Sequence, residues 1–188
     1  MKQIALALLA LAVVAGCERK PEQPPPAAGA GSTPAESIAI EEALGATYRS
    51  EHVSDGRITL VAGTFSPATE NVESELGPLT ALGDLDKDGV DERAVVLITS
   101  TGGSGVFFDL YVLDRRDGTL VVSDPAYLGD RVDVRDVRIE HGEVMVDLVT
   151  QGADDPMCCP TLPVTYRFHL ANKVLTETSG QRRVWVKE

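Results

Sequence analysis

The stretch Val106-Phe107-Phe108-Asp109-Leu110-Tyr111-Val112-Leu113 decides the fold class. Val106, Phe108, Leu110 and Val112 alternate with Phe107, Asp109, Tyr111 and Leu113, and a period of two belongs to a strand. Just upstream, Ala94 to Ile98 is nearly all apolar, as expected of a central strand buried on both faces. Thr101-Gly102-Gly103-Ser104-Gly105 lies between these strands and reads as a hairpin turn. Downstream, Arg115-Arg116-Asp117-Gly118 is a turn, and Leu120 to Val122 pairs back. Val132 and Val134 share one phase while Val137 and Ile139 take the other, which predicts a bulge near Arg135-Asp136. His141-Gly142 is a tight turn, with glycine supplying positive φ, and Val144, Val146 and Leu148 continue the hairpin. Val164, Tyr166, Phe168 and Leu170 alternate with Thr165, Arg167 and His169, and Ala171-Asn172-Lys173 turns into a strand near Val174. Ile58 to Val61 and Val184 to Val186 are further strands, with Trp185 as core or rim packing in the last. Short alternating strands with frequent turns predict a mainly β chain, a single antiparallel sandwich or small barrel. No repeat of 20–50 residues stands out.

The beginning of the chain has a different pattern. Met1-Lys2-Gln3 is a short positive start, and Ile4 to Ala15 is an apolar run that ends in Val14-Ala15-Gly16-Cys17. The run is shorter than the about 20 residues needed to span a bilayer. It has the flanks of a signal peptide, and its end resembles the lipobox cut by lipoprotein signal peptidase. That resemblance implies removal of residues 1–16 and attachment of a diacylglycerol to the Cys17 thiol. Each buried CH₂ contributes about 0.8 kcal/mol, so several acyl chains make a stable anchor. Glu18 stands where retained inner-membrane lipoproteins of enteric bacteria carry Asp. The expected location is therefore the periplasmic side of the outer membrane, with another cell-envelope membrane face as the alternative.

Residues 17–32 are rich in Pro, Ala, Gly and Gln and read as a disordered tether. Residues 33–188 are then a single β-rich domain. It opens on Thr33-Pro34-Ala35-Glu36, a capping-box pattern with Pro at the first helical position. Ile40, Leu44 and Tyr48 form one helical stripe, and Gly45 can end the helix. The formal net charge of −12 argues against nucleic acid, which needs a basic footprint. It also argues against lying flat on anionic lipid. It is compatible with cations or a basic partner.

Asp84-Leu85-Asp86-Lys87-Asp88-Gly89-Val90-Asp91-Glu92 is the sharpest motif. Carboxylates at the first, third and fifth positions can converge on one cation. Gly89 permits the sharp turn, the Val90 carbonyl faces inward, and Glu92 ligates directly or through water. Val95 stands where an EF-hand carries a bidentate Glu. The alternative is an acidic turn without an ion. In Asp154-Asp155-Pro156-Met157-Cys158-Cys159-Pro160-Thr161, the two cysteines left after lipidation of Cys17 are adjacent. Outside the cytoplasm they are expected either to join in a small ring or to stay as free thiols. No nearby His or C-x-x-C spacing supports a metal site there.

No catalytic set appears. His52, His141 and His169 read as a loop, a turn and the outward face of a strand. The Gly-rich loop lacks the Lys-Ser/Thr of a P-loop, and Val106 stands where a nucleophile elbow at Ser104 needs Gly.

Two resemblances follow. The Asp84 loop, running directly into an apolar strand, resembles the calcium loops of FG-GAP repeats, as in integrin β-propellers. It occurs once, so a propeller is not implied. More broadly, Gly83 to Gly89, Gly102 to Gly105, Leu128-Gly129-Asp130-Arg131-Val132 and Asp155 to Thr161 together resemble a group of uncharacterised bacterial extracytoplasmic lipoproteins. Glu92-Arg93 stands where that pattern has Asp-Ala. The resemblance implies export and a single domain, and it supplies no catalytic residue. The expected function is a non-enzymatic, membrane-anchored lipoprotein whose β domain, stabilised by Ca²⁺, serves binding to a protein or envelope component. The alternatives are an inhibitor of a basic envelope hydrolase such as lysozyme, using the Asp154 to Thr161 loop, and an enzyme of unrecognised type.

Overall fold

The alternating stretches form the expected strands. In this computed structural model residues 37–178 are described. The signal segment, Cys17, the tether, the Thr33–Glu36 cap and the strand at Val184–Val186 with Trp185 lie outside the described residues. In chain order the elements are α1 (Ile40–Leu44), β1 (Thr47–Arg49), β2 (Arg57–Thr59), β3 (Thr64–Phe65), β4 (Glu73–Gly83), β5 (Glu92–Ser100) and β6 (Val106–Arg116). They continue with β7 (Thr119–Val122), β8 (Ala126–Asp130), β9 (Asp133–Glu140), β10 (Glu143–Thr150), β11 (Leu162–Ala171) and β12 (Val174–Glu177). Every pairing is antiparallel. One sheet has the order β3-β4-β5-β6-β7, and a second has the order β12-β11-β10-β9. β1 and β2 form a separate hairpin. The long strand β6 is shared: β8 pairs with Phe107–Leu110 and β7 with Leu113–Arg116. The described residues form no closed barrel; the fold is a mainly β, antiparallel arrangement with one short helix near its N-terminal side.

The period of two explains the layers. From the larger sheet Ala94, Val96, Leu110 and Val112 point inward, and from the smaller sheet Val144, Val146, Leu148, Val164, Tyr166 and Phe168 meet them in one apolar cluster. The intervening residues Val95, Leu97, Tyr111 and Leu113 face the other way. They pack against Ile38, Ala43, Tyr48, Ile58 and Leu60 in a second cluster. The larger sheet is thus covered on both faces, by its partner sheet and by α1 with the β1–β2 hairpin. This is why Ala94 to Ile98 can be apolar without interruption. Each fully buried aliphatic side chain contributes about 1.5–3 kcal/mol.

The phase change in β9 is a bulge, as expected. Asp136 pairs with Asp147 and Val134 with Leu148, leaving Arg135 as the extra residue. The His141-Gly142 turn has both residues at positive φ, +56° and +79°.

Three expectations are corrected. The helix begins at Ile40, where the Glu42 carboxylate reaches back to accept the Ala39 N–H (3.0 Å). Tyr48 is not on its stripe. Gly45 stops the helix, the chain extends into β1, and Tyr48 is fully buried, its hydroxyl donating to the Ala43 carbonyl (2.8 Å). The strand expected over Ile58 to Val61 is displaced by one or two residues, because Val61 turns back in a bridge to Thr64. β4 is additional. Gly77, Pro78 and Leu79 together oppose the single residue Val96. Proline cannot donate to a ladder, so this segment bulges and loses its alternation.

Candidate metal centre

β4 ends at Gly83 and β5 begins at Glu92, and these two residues are register partners. The acidic motif is therefore the closed connection between two paired strands. Leu85 anchors it: only 6% exposed, it joins the inter-sheet core. The fit is close. A Cβ on Gly83 would lie 2.7 Å from Ile139 Cγ2, and one on Gly142 would lie 3.3 Å from the Leu85 carbonyl oxygen. The loop thus rests against the β9–β10 turn.

The loop's own hydrogen bonds curl it. Asp84 accepts the N–H groups of Lys87 (2.6 Å) and Gly89 (3.1 Å), and Asp86 accepts that of Asp88 (3.1 Å). Asp88 accepts that of Val90 (2.8 Å). Lys87 and Gly89 take positive φ, +66° and +90°. The expected role of glycine at the sixth position is observed, since at +90° a side chain is strained. One carboxylate oxygen from each of Asp84, Asp86 and Asp88 lies within 4.8 Å of the others. Oxygens bound to one calcium ion at about 2.3–2.6 Å can be no more than about 5 Å apart, so the spacing is compatible with a shared cation.

Glu92 is the unusual member. It is 1% exposed, one oxygen accepts the Leu85 N–H (2.6 Å), and Oε1 is buried without a hydrogen-bond partner. Burial pushes its carboxyl up to about 7; the Leu85 N–H opposes that shift, and the negative charges of Asp86, Asp114 and Asp88 add to it. A buried acceptor left unmade costs roughly 1–3 kcal/mol. Asp84, Asp86 and Asp88 are therefore brought together, whereas Glu92, held by the Leu85 N–H, is not part of that converging group.

The cysteines lie elsewhere. Cys158 and Cys159 are joined in a disulfide in the β10–β11 connection. β10 leads from the His141-Gly142 turn, which touches Leu85, to Thr150. Its eight residues span roughly 25 Å at about 3.3 Å each, so the two motifs sit at opposite ends of the sandwich. The Gly-rich loop connects β5 to β6 as a hairpin, at the end away from the Asp84 loop.

One arrangement was not legible in the sequence. His52, read as a plain loop residue, lies 3.4 Å from the buried Asp109 carboxylate and stacks on Phe107 with ring centroids 4.5 Å apart. Burial raises the carboxyl of Asp109, and the positive field and hydrogen bond of His52 oppose that shift. No local signal could have linked residues so far apart in the chain. His141 occupies the β9–β10 turn and His169 is exposed on β11.

Comparison with family models, with curated proteins and with solved structures gives no match.

Proposed function

We propose that this chain is an extracytoplasmic lipoprotein, anchored through lipid on Cys17 at the periplasmic side of the outer membrane. Its β domain is non-catalytic, binds one Ca²⁺ and is displayed for contact with a protein or envelope component. Asp84, Asp86, Asp88 and Glu92 supply carboxylate oxygens to the ion, and Val90 its carbonyl. The observation that carries the calcium reading is the convergence of one carboxylate oxygen from each of Asp84, Asp86 and Asp88 within 4.8 Å of the others; the buried, unpartnered Glu92 oxygen at the end of the same loop supports it. Mutual repulsion of these groups is relieved by a divalent ion, and Leu85 couples the loop to the core.

Calcium that binds only the folded state stabilises by RT ln(1 + [L]/Kd), about 2.7 kcal/mol at a hundredfold excess over Kd. Extracellular modules bind at ~10⁻⁴–10⁻³ M, so the test is Tm across millimolar calcium, with calorimetry. Tm is expected to rise with calcium, to rise less with magnesium, and to stop responding in Asp84→Ala and Asp88→Ala. A flat wild-type response with no heat of binding would leave the loop as an acidic turn.

The anchoring reading rests on Val14-Ala15-Gly16-Cys17 after the apolar run. Cys17→Ser is expected to accumulate as an unprocessed precursor without lipid, measured by intact mass and radiolabelled fatty acid. Normal processing and acylation of that variant would refute it.

A further inference from the structure

The β10–β11 connection contains the disulfide, and its conformation is fixed by groups other than sulfur. Asp155 ties the two ends together. Its carboxylate accepts the Gly152 N–H (2.8 Å), the Thr161 N–H (2.7 Å) and the Thr161 hydroxyl (2.8 Å). These bonds hold the carboxyl below the usual aspartate range, with the Gly152 N–H the largest cause. The Gln151 side-chain amide donates to the Met157 carbonyl (3.2 Å), and the Cys159 N–H to that of Pro156 (3.0 Å). Pro156 and Pro160 restrict φ on either side.

The sulfurs face outward. Cys158 and Cys159 are exposed, and so is Met157 beside them. No residue from Gln151 to Thr161 belongs to either core cluster. A link between chain neighbours closes almost no loop, so it removes little entropy from the unfolded chain. This disulfide therefore neither fastens the loop to the domain nor staples distant segments. What it offers is access: thiol–disulfide exchange needs an open path to a sulfur atom.

We infer that Cys158–Cys159 is a redox site, reduced and reoxidised in the folded protein by exchange with a dithiol. A thiolate of the dithiol attacks one cysteine sulfur, forming an intermolecular disulfide and breaking the Cys158–Cys159 bond. The departing sulfur takes a proton. The second thiol of the reductant then attacks its own half of the mixed disulfide and releases the other cysteine as a thiol. Two electrons and two protons pass from the dithiol to the pair, and the dithiol leaves as a disulfide. Asp155 is a positioning residue, keeping the two thiols adjacent at the loop tip for reclosure. An extracytoplasmic source for the dithiol rests on the export reading above. The exchange chemistry does not, and it is independent of calcium because the two motifs lie at opposite ends of the sandwich.

The test uses the full-length oxidised protein in detergent with no denaturant. It is titrated with dithiothreitol, trapped with N-ethylmaleimide and weighed intact. Two labels more than in the unreduced protein are expected at low millimolar dithiothreitol, with Tm within ~2 °C of the oxidised protein, as for a change outside the core. Removal of reductant and addition of oxidised dithiol should restore a mass two hydrogens below the dithiol form. Asp155→Ala should reoxidise more slowly, on the order of tenfold, because alignment is lost. Three results would overturn the inference: reduction that requires denaturant, a collapse of Tm on reduction, or exported protein in which both thiols are already free. Equal reoxidation rates in wild type and Asp155→Ala would remove the positioning role.

Discussion

In calcium-free buffer, the protein is expected to lose up to about 3 kcal/mol of stability between mildly acidic and mildly alkaline pH, through Glu92. In an unfolded chain this carboxyl titrates near 4.5, and burial pushes it up to about 7 in the fold. The folded state therefore holds the proton more tightly. The contribution is fully present below pH 4.5 and is lost as pH rises through 7. Each tenfold gain in proton affinity corresponds to about 1.4 kcal/mol, which makes about 3 kcal/mol the upper end of the loss. Tm of the chelator-treated protein should fall by roughly 10 °C across this range, at about 2–4 °C per kcal/mol for a chain of this size. On the proposed reading, in which calcium binds the ionised Glu92 carboxylate, added calcium is expected to reverse the trend. Its stabilisation should be larger at about pH 8 than at about pH 5. Glu92→Gln keeps the shape and removes the charge. It is expected to flatten the calcium-free pH profile, to raise Tm under mildly alkaline conditions without calcium, and to weaken the response to calcium. Thermal melts from about pH 5 to about pH 8.5, with and without millimolar calcium, provide the measurement. A level calcium-free profile would show that Glu92 is not a buried acid.

Leu97→Ala is expected to cost about 2–5 kcal/mol, the range for truncating a fully buried leucine. Leu97 is 0% exposed and lies in the outer cluster, on the face of β5 turned away from the partner sheet. A two-layer sandwich would leave that face wet and the substitution nearly silent. The third layer of α1 and the β1–β2 hairpin makes it costly. Leu97→Asp should unfold the domain, since an isolated buried carboxylate costs more than much of the about 5–15 kcal/mol that stabilises a typical domain. Leu82→Ala, at a side chain 42% exposed, is the control and should stay within ~0.5 kcal/mol. Urea unfolding of the three variants provides the measurement, and a cost below ~1 kcal/mol for Leu97→Ala would mean the outer layer is absent.

Much of the β architecture could be read from local pattern, because a strand's alternation is written in its own residues. β6, β10 and β11 follow this rule, and so does the bulge at Arg135, where a phase change in the sequence is the bulge itself. β4 escaped because Gly77-Pro78 interrupts its pairing and erases the period. Tyr48 was misplaced because its helical spacing from Leu44 competes with Gly45, and only burial against Tyr111 decides the outcome, with ring centroids 5.0 Å apart.

The candidate site divides in the same way. Asp84, Asp86 and Asp88 were legible because they alternate within one short loop, so spacing alone brings their oxygens within 4.8 Å of one another, and Gly89 was legible as the residue of the sharp turn. The adjacency of Cys158 and Cys159 was likewise visible in one dimension. The sequence by itself thus determined the strand periodicity, the acidic loop and the cysteine pair, all consequences of interactions between near neighbours. Only the tertiary structure decided that Glu92 is buried with one oxygen unpartnered, that His52 meets Asp109, that the larger sheet is covered on both faces, and that the acidic loop and the disulfide sit at opposite ends. Those outcomes depend on which surfaces exclude water together, and desolvation is set by partners far away in the chain.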